Sequence, residues 1–163
     1  DKLMRQRLNI LDRQALKITD IQDVIEQMGP LDGATEFLAW LRERCQVIIL
    51  SDTFYQFAQP LMRQLGFPTL FCNQLEIDAS GRIVNYHMRM QDPKKHAVAA
   101  LKSLNFLTMA AGDSYNDTAM LGEAHAGFFY CPPEHLPKEF PQFPVTQTYG
   151  ELQEWFAKAG HLQ

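Results

Sequence analysis

Three short polar segments of this chain hold residue types that could bind a phosphorylated ligand. The first is Ser51-Asp52-Thr53, which follows the unbroken apolar run at 47–50. A hydroxyl at that point, followed by a helix, can donate to a phosphate oxygen, and the backbone N–H groups beyond it face the same anion. The alternative is an ordinary N-terminal cap of the next helix. This segment alone favours that alternative.

The second segment is Gly112-Asp113-Ser114-Tyr115-Asn116-Asp117, which follows the apolar run at 106–111. It places two carboxylates and an amide close together beyond a predicted buried strand. Such oxygen donors suit Mg²⁺, which binds through one or two carboxylates, water and phosphate oxygens. The alternative is a polar turn that caps the next helix through Asn116 or Asp117, and the segment alone favours neither reading.

The third segment is the lysine pair Lys94-Lys95, which follows Asp92-Pro93 at the predicted start of a helix. Because the N-terminal end of a helix already carries partial positive charge, two cations there are unfavourable unless an anion lies nearby. The alternative is a pair of solvated surface lysines, and this segment alone favours it.

The elements around these segments alternate between strand and helix from residue 33 onward. Short apolar runs at 47–50, 69–72, 106–111 and 127–130 are typical of strands that are buried on both faces, and a hairpin is predicted around Ser80-Gly81. The pattern predicts a three-layer α/β domain with a mostly parallel sheet. Ligands of such sheets bind beyond the carboxyl ends of the strands, where the first two polar segments would lie.

Composition excludes several classes of protein. The 163 residues include 15 Lys and Arg against 19 Asp and Glu, a net charge of −4, without the basic face of a nucleic-acid-binding protein. No apolar run approaches the roughly 20 residues of a membrane span, and nothing resembles a signal peptide. The three cysteines lack metal-site spacing and are typical of a reducing compartment. We therefore expect a cytoplasmic protein without nucleic-acid or membrane partners; a homodimer is compatible with the sequence.

The order of the three segments resembles that of the haloacid-dehalogenase-like phosphatases, and specifically their phosphoserine phosphatase branch. A hydroxyl after one strand, a lysine at a helix start and Gly-Asp-x-x-Asn-Asp after the next strand match the second to fourth motifs of that family. Residues 3–8, 49–55, 61–69, 110–118 and 139–144 are similar to the bacterial members that also transfer phosphate to homoserine. The resemblance spans essentially the whole chain.

The resemblance implies a Rossmann-like α/β core at residues 29–163 and a small helical cap, of which residues 1–28 would be a remnant. It implies Mg²⁺-dependent hydrolysis of phosphoserine through an aspartyl-phosphate, as in serine biosynthesis. Transfer of the phosphate to homoserine by the same site is one alternative. A non-catalytic relic that binds phosphate ligands is another.

The resemblance also implies roles for individual residues. Ser51 and Lys94 would hold the phosphate oxygens with help from the backbone N–H of Asp52. Arg7 matches the arginine that grips the substrate carboxylate, a task for which a planar guanidinium is well suited. The alignment of Pro93 with the motif favours Lys94 over Lys95 as the motif lysine.

The Gly112–Asp117 segment supplies the remaining implied roles. Asp113 would ligate Mg²⁺, Asn116 would contact the substrate or the waters around the metal, and Asp117 would brace the loop. These three roles come from the family motif.

The family's first motif, Asp-x-Asp or Asp-x-Glu after the first strand, is absent from this sequence. Asp78 and Asp92 cannot replace it, because neither follows a buried strand with a second carboxylate two residues later. We therefore expect no phosphatase turnover from these 163 residues by themselves, since they lack the nucleophile and the general acid. We also expect that they derive from a longer enzyme, that the first strand of its sheet lies outside them, and that they are poorly stable alone.

Overall fold

A computed structural model describes residues 2–162 of the chain. The chain divides into a first compact unit, Asp1–Thr35 with Val47–Met90, and a second, Glu36–Gln46 with Gln91–Gln163. In chain order the elements are α1 (Lys2–Arg13), α2 (Ile18–Gln27), α3 (Ala34–Arg42), β1 (Ile48–Phe54), α4 (Tyr55–Gln64), β2 (Thr69–Ile77), β3 (Ile83–His87), α5 (Pro93–Ser103), β4 (Met109–Gly112), a 3₁₀ turn (Tyr115–Asp117), α6 (Thr118–Glu123), β5 (Ala126–Tyr130), α7 (Leu136–Glu139), β6 (Val145–Thr146) and α8 (Tyr149–Gly160).

The first unit is a three-stranded sheet covered by helices. Its strand order is β1-β2-β3, with β1 and β2 parallel and β2 and β3 antiparallel. The predicted hairpin around Ser80-Gly81 is confirmed as the connection between β2 and β3. Helix α2 packs against α4, and α1 packs against β3. Ile18, Phe54 and Leu75 form a buried hydrophobic cluster in this unit.

Strand β1 is longer than the prediction of a strand that stops at residue 50. It continues through Ser51-Asp52-Thr53 to Phe54, and α4 begins at the next residue. The helix cap is therefore Phe54, so the reading of Ser51 as an ordinary N-terminal cap is wrong. The extension has a physical cause: β2 also continues, and Phe54 regains a partner in it, Asn73, after a bulge in the ladder.

The second unit contains a parallel sheet of order β4-β5-β6. The predicted strand at 106–111 is displaced, because Phe106 N donates to Leu101 O and Asn105 takes a positive φ, which extends the turn that ends α5. Neither α7 nor β6 was predicted from the sequence. Thr146 of β6 is fully buried and its hydroxyl donates to Phe129 O, 2.8 Å away.

Within residues 2–162, three of the four strand pairings are parallel, which confirms the predicted α/β class with mostly parallel pairing. The predicted division into a cap at 1–28 and a core at 29–163 stays a prediction. In the same range no helix has the length and apolar character that crossing a bilayer requires.

Gly127 provides a test of the packing between α6 and β5. A Cβ at this position would lie 2.5 Å from the backbone oxygen of Leu121, which cannot move without displacing the helix. We expect Gly127→Ala to lower the free energy of unfolding by about 1–3 kcal/mol in urea denaturation. The matched control is Gly122→Ala, whose Cβ would meet its nearest neighbour at 3.8 Å. Equal stability of the two variants would contradict this packing.

Candidate active site

The first unit contains a cavity of about 540 Å³ that brings together two of the predicted site residues, Arg7 and Asp52. Thr53 also lines it, and the rest of the lining is apolar: Met4, Leu8, Ile10, Leu11, Ile21, Phe54, Phe57 and Met88. A cationic guanidinium thus faces the same largely apolar space as Asp52 and Thr53 of the bulged part of β1 (residues 51–53, called the polar turn below). This arrangement suits a small anionic ligand with an aliphatic portion.

Arg7 reaches this cavity because the helix that carries it is fixed to the β2–β3 hairpin. Arg82 Nη2 lies 2.7 Å from Asp12 Oδ1 near the end of α1, and Ile18 N donates to Gly81 O at the start of α2. The ion pair is exposed and contributes little by itself. The buried side chain of Ile18 supplies the apolar contact that holds this corner together.

Ser51 lies in the polar turn just before Asp52, and its hydroxyl is already oriented. The backbone N–H of Thr53 donates to Ser51 Oγ at 3.2 Å. Accepting this bond leaves the single O–H proton of the serine for another acceptor, because a hydroxyl has one donor and two acceptor positions. The Ser51 hydroxyl therefore keeps a proton that it can donate to an anion.

In the second unit the carboxylate of Asp117 organises the loop after β4. Its Oδ2 accepts from the backbone N–H groups of Asp113 and Ser114 and from the Ser114 hydroxyl, at 3.2, 3.1 and 2.8 Å. Its Oδ1 lies 2.8 Å from Lys94 Nζ. Both partners of this ion pair are largely buried, with side-chain exposures of 8% for Asp117 and 14% for Lys94.

Burial raises the pKa of Asp117, but the hydrogen bonds from Lys94 and Ser114 and the charge of Lys94 outweigh it, so the net pKa lies below its usual value. Gly112 makes this contact sterically possible. A Cβ on Gly112 would lie 2.4 Å from Asp117 Cβ, so the residue before Asp113 must be glycine for the loop to close in this way.

The structure distinguishes the two lysines at the start of α5. Lys94 reaches the Gly112–Asp117 loop, whereas the side chain of Lys95 is exposed. Pro93 occupies the first turn of α5, where its missing N–H costs no hydrogen bond. Of the two lysines, Lys94 is therefore the one that contacts the Gly112–Asp117 loop.

Asp113 and Asn116 lie on the outer side of the loop with exposed side chains. In residues 2–162 no group of three or more His, Cys, Asp or Glu side chains is close enough to hold a metal ion. One carboxylate and one amide oxygen still fit Mg²⁺, since this ion keeps several waters and takes its other ligands from phosphate. The donor set of the loop is therefore compatible with a phosphate-bound Mg²⁺.

The structure thus brings Arg7 and Asp52 to one cavity in the first unit, and places Lys94, Asp113, Asn116 and Asp117 on or against one loop in the second. Two contributors were missed from the sequence. Ser114 looked like a spacer inside the motif but donates twice to Asp117. Asn73 lies within β2 and is buried; the sequence signal that could have revealed it is a polar amide directly after the apolar run at 69–72.

Comparison with known proteins gives consistent matches. Residues 2–125 match the family model described as a haloacid dehalogenase-like hydrolase. The chain is 61% identical over 159 residues to phosphoserine phosphatase ThrH of Pseudomonas aeruginosa, covering 98% of this chain and 78% of the relative. It is 58% identical to a phosphoserine phosphatase of Pseudomonas syringae pv. tomato, covering 100% of this chain and 69% of the relative.

Two solved structures support the fold. One is an apo phosphoserine phosphatase, with a TM-score of 0.72, 21% identity and coverage of 86% of this chain and 74% of that one. The other is a phospho-aspartyl intermediate analogue of phosphoserine phosphatase, with a TM-score of 0.70, 20% identity and coverage of 86% and 70%. At these identities the likeness concerns the fold.

The Lys94–Asp117 pair should dominate the stability of the loop. We expect Asp117→Asn to lower the free energy of unfolding by about 3 kcal/mol at pH 7, because it leaves the Lys94 charge largely buried without its counterion. Because the folded pKa of Asp117 is depressed, its stabilisation is fully present above the ordinary value of 3.8 and is lost as the pH falls through the lower folded pKa. Urea denaturation at pH 7 and pH 3 measures both effects.

The control for this prediction is Glu123→Gln. It removes an ion pair with Lys102 in the same unit, at 3.0 Å but with more exposed side chains, and should cause a smaller loss. A loss for Asp117→Asn that is as small as that of the control, or as large at pH 3 as at pH 7, would contradict the buried-pair interpretation.

Proposed function

Because the chain belongs to the haloacid dehalogenase-like hydrolase family, we propose that it forms the substrate-binding and metal-binding part of a Mg²⁺-dependent phosphoserine phosphatase. The observation that carries this proposal is the cavity of the first unit, where Arg7 and Asp52 face the same space. Phosphoserine carries a carboxylate and a phosphate on a short carbon chain, and the cavity offers a guanidinium for the former and the N–H-bearing turn for the latter. The 61% identity with a phosphoserine phosphatase supports the same function.

The phosphate group is held by neutral and charged donors. The Ser51 hydroxyl and the Asp52 backbone N–H donate to its oxygens in this proposal, and Lys94 supplies a positive charge. The ammonium nitrogen of Lys94 lies 2.8 Å from Asp117 Oδ1, and this ion pair holds the lysine side chain in place. Asp117 thereby fixes the direction in which Lys94 presents its charge.

The loop after β4 holds the metal. Asp113 ligates Mg²⁺, and Asn116 contacts the substrate or the metal-bound waters. When bound, Mg²⁺ offsets negative charge on the phosphoryl group during transfer. Asp117 keeps the Asp113 backbone in place by accepting its N–H, so the carboxylate of Asp113 remains free to face outward.

Hydrolysis through an aspartyl-phosphate also needs a carboxylate nucleophile and an acid for the leaving hydroxyl. No Asp-x-Asp or Asp-x-Glu pair follows a strand in these 163 residues, so both groups are supplied from outside them. Activity is therefore measured on the natural polypeptide that contains these residues. Transfer to homoserine and ligand binding without catalysis are the alternatives.

One assay separates the three functions. Phosphate release from phosphoserine is measured with and without homoserine, and we expect free phosphate in both cases. Phosphohomoserine as the sole product would show a transferase. No product, together with a rise in melting temperature on addition of phosphoserine, would show a binding protein.

Asp113→Asn tests the metal-binding role in the same assay. We expect a loss of Mg²⁺-dependent turnover on the order of 100-fold or more, because the electrostatic contribution of a catalytic metal amounts to several kcal/mol. The melting temperature should be nearly unchanged, since the side chain is exposed. Asp23→Asn, an exposed carboxylate on α2, is the control. Full turnover by Asp113→Asn would refute the assignment.

Arg7→Ala tests recognition of the substrate carboxylate. We expect KM for phosphoserine to rise about 10- to 100-fold, the effect of removing a hydrogen-bonded charge partner. KM for an aryl phosphate without a carboxylate should change little. Arg5→Ala is the control, because Arg5 is exposed on the same helix and does not line the cavity. Equal effects of Arg7→Ala on both substrates would contradict a carboxylate-binding role.

A further inference from the structure

Asn73 is a buried polar residue in the middle of β2, with an exposure of only 1%. Both ends of its amide are used by backbone groups from other segments. Its Nδ2 donates to Asp52 O at 2.9 Å, and its Oδ1 accepts from Arg89 N at 3.1 Å. A buried amide that is satisfied in this way holds two chain segments at a fixed separation.

The need for this amide arises from the bulge between β1 and β2. The ladder pairs Leu50 with Phe71 and resumes at Phe54 with Asn73, so Ser51, Asp52 and Thr53 lie opposite the single residue Cys72. Three residues cannot all pair with one, and the backbone of this turn needs partners from elsewhere. The side chain of Asn73 supplies one of them.

The bond from Asn73 to Asp52 O fixes the orientation of a whole peptide unit, and not only of the carbonyl group that accepts it. The Asp52 carbonyl and the Thr53 N–H belong to the same planar peptide unit, so fixing one fixes the direction of the other. The Thr53 N–H donates to Ser51 Oγ at 3.2 Å. Asn73 thus orients the Ser51 hydroxyl through one rigid peptide plane.

The second bond of Asn73 reaches the segment that follows β3. Its Oδ1 accepts from Arg89 N, next to Met88, which lines the same cavity as Arg7 and Asp52. One buried side chain thereby connects the polar turn and another part of the cavity wall.

We propose that Asn73 is a positioning residue for phosphate binding: it fixes the Asp52–Thr53 peptide and, through it, the Ser51 hydroxyl. The proposal rests on the proposed function, in which Ser51 and Asp52 bind the phosphate of the substrate. Asn73 itself does not touch the substrate. Its effect is on the geometry of the donors, where a displacement of about 1 Å can reduce catalysis about 100-fold.

The chain offers a matched control in Gln56. This amide makes the same two kinds of bond to backbone, with Nε2 donating to Leu75 O and Oε1 accepting from Leu75 N, both at 2.9 Å. It lies in the same unit and fastens α4 to β2 beyond the bulge, without a bond to residues 51–53 among those described. A purely structural amide should behave like Gln56.

The experiment compares Asn73→Asp with Gln56→Glu in the natural polypeptide. Each change keeps the acceptor oxygen and replaces the donating NH₂ by oxygen, so each loses one bond to a backbone carbonyl. Asn73→Ala and Gln56→Ala form a second pair that adds no buried charge. For each variant the melting temperature, kcat and KM for phosphoserine, and the inhibition constant of inorganic phosphate are measured.

We expect both pairs to lower the melting temperature, but only the Asn73 variants to weaken phosphate inhibition by about tenfold or more and to lower kcat/KM by about 100-fold. If the Asn73 variants retain the phosphate affinity and kcat/KM of the Gln56 variants, the proposal is overturned. The proposed function is tested separately by the unmodified protein: if that protein does not turn over phosphoserine, the proposed function is wrong. In that case the thermal shift produced by inorganic phosphate still compares the two pairs.

Discussion

The constraint on which the second unit depends is the neutralisation of a buried carboxylate. A charge as enclosed as that of Asp117 is tolerated only when a counterion and hydrogen-bond donors surround it. Lys94 provides the counterion, and the backbone of the loop and Ser114 provide the donors. Satisfying this one carboxylate fixes the shape of the loop, the position of the lysine and the outward direction of Asp113. The absence of a side chain at Gly112 is what allows the carboxylate to approach.

In the first unit the corresponding buried groups are neutral. The polar turn lies in a bulge, where the hydrogen bonds of the regular ladder cannot satisfy every backbone group, and the buried amide of Asn73 donates to the carbonyl of Asp52 instead. Asp117 and Asn73 do not contact the ligand in the proposed function, but each sets the geometry of groups that do. Such supporting bonds matter because donors aimed in advance at an anion need not reorganise when it binds.

Much of the fold was predictable because it depends on local patterns. The unbroken apolar runs marked the parallel strands, and Ser80-Gly81 marked the hairpin. The errors arose where long-range contacts override local signals. β1 continues past residue 50 because β2 offers it a partner at Asn73, and the strand predicted from residue 106 starts later because that segment is held in the turn after α5. β6 is too short to carry a periodic signal, and its place is decided by pairing with β5.

The sequence by itself determined the types and order of the chemically active residues: a hydroxyl turn, a lysine at a helix start and an acidic loop, which together indicated the family. This information is local, because each motif is contiguous. Only the tertiary structure decided which lysine meets the loop, that Asp117 turns inward while Asp113 stays exposed, and that Asn73 supports the Ser51 turn. Those outcomes depend on burial and on hydrogen bonds between residues about 20 positions apart, which linear spacing does not encode.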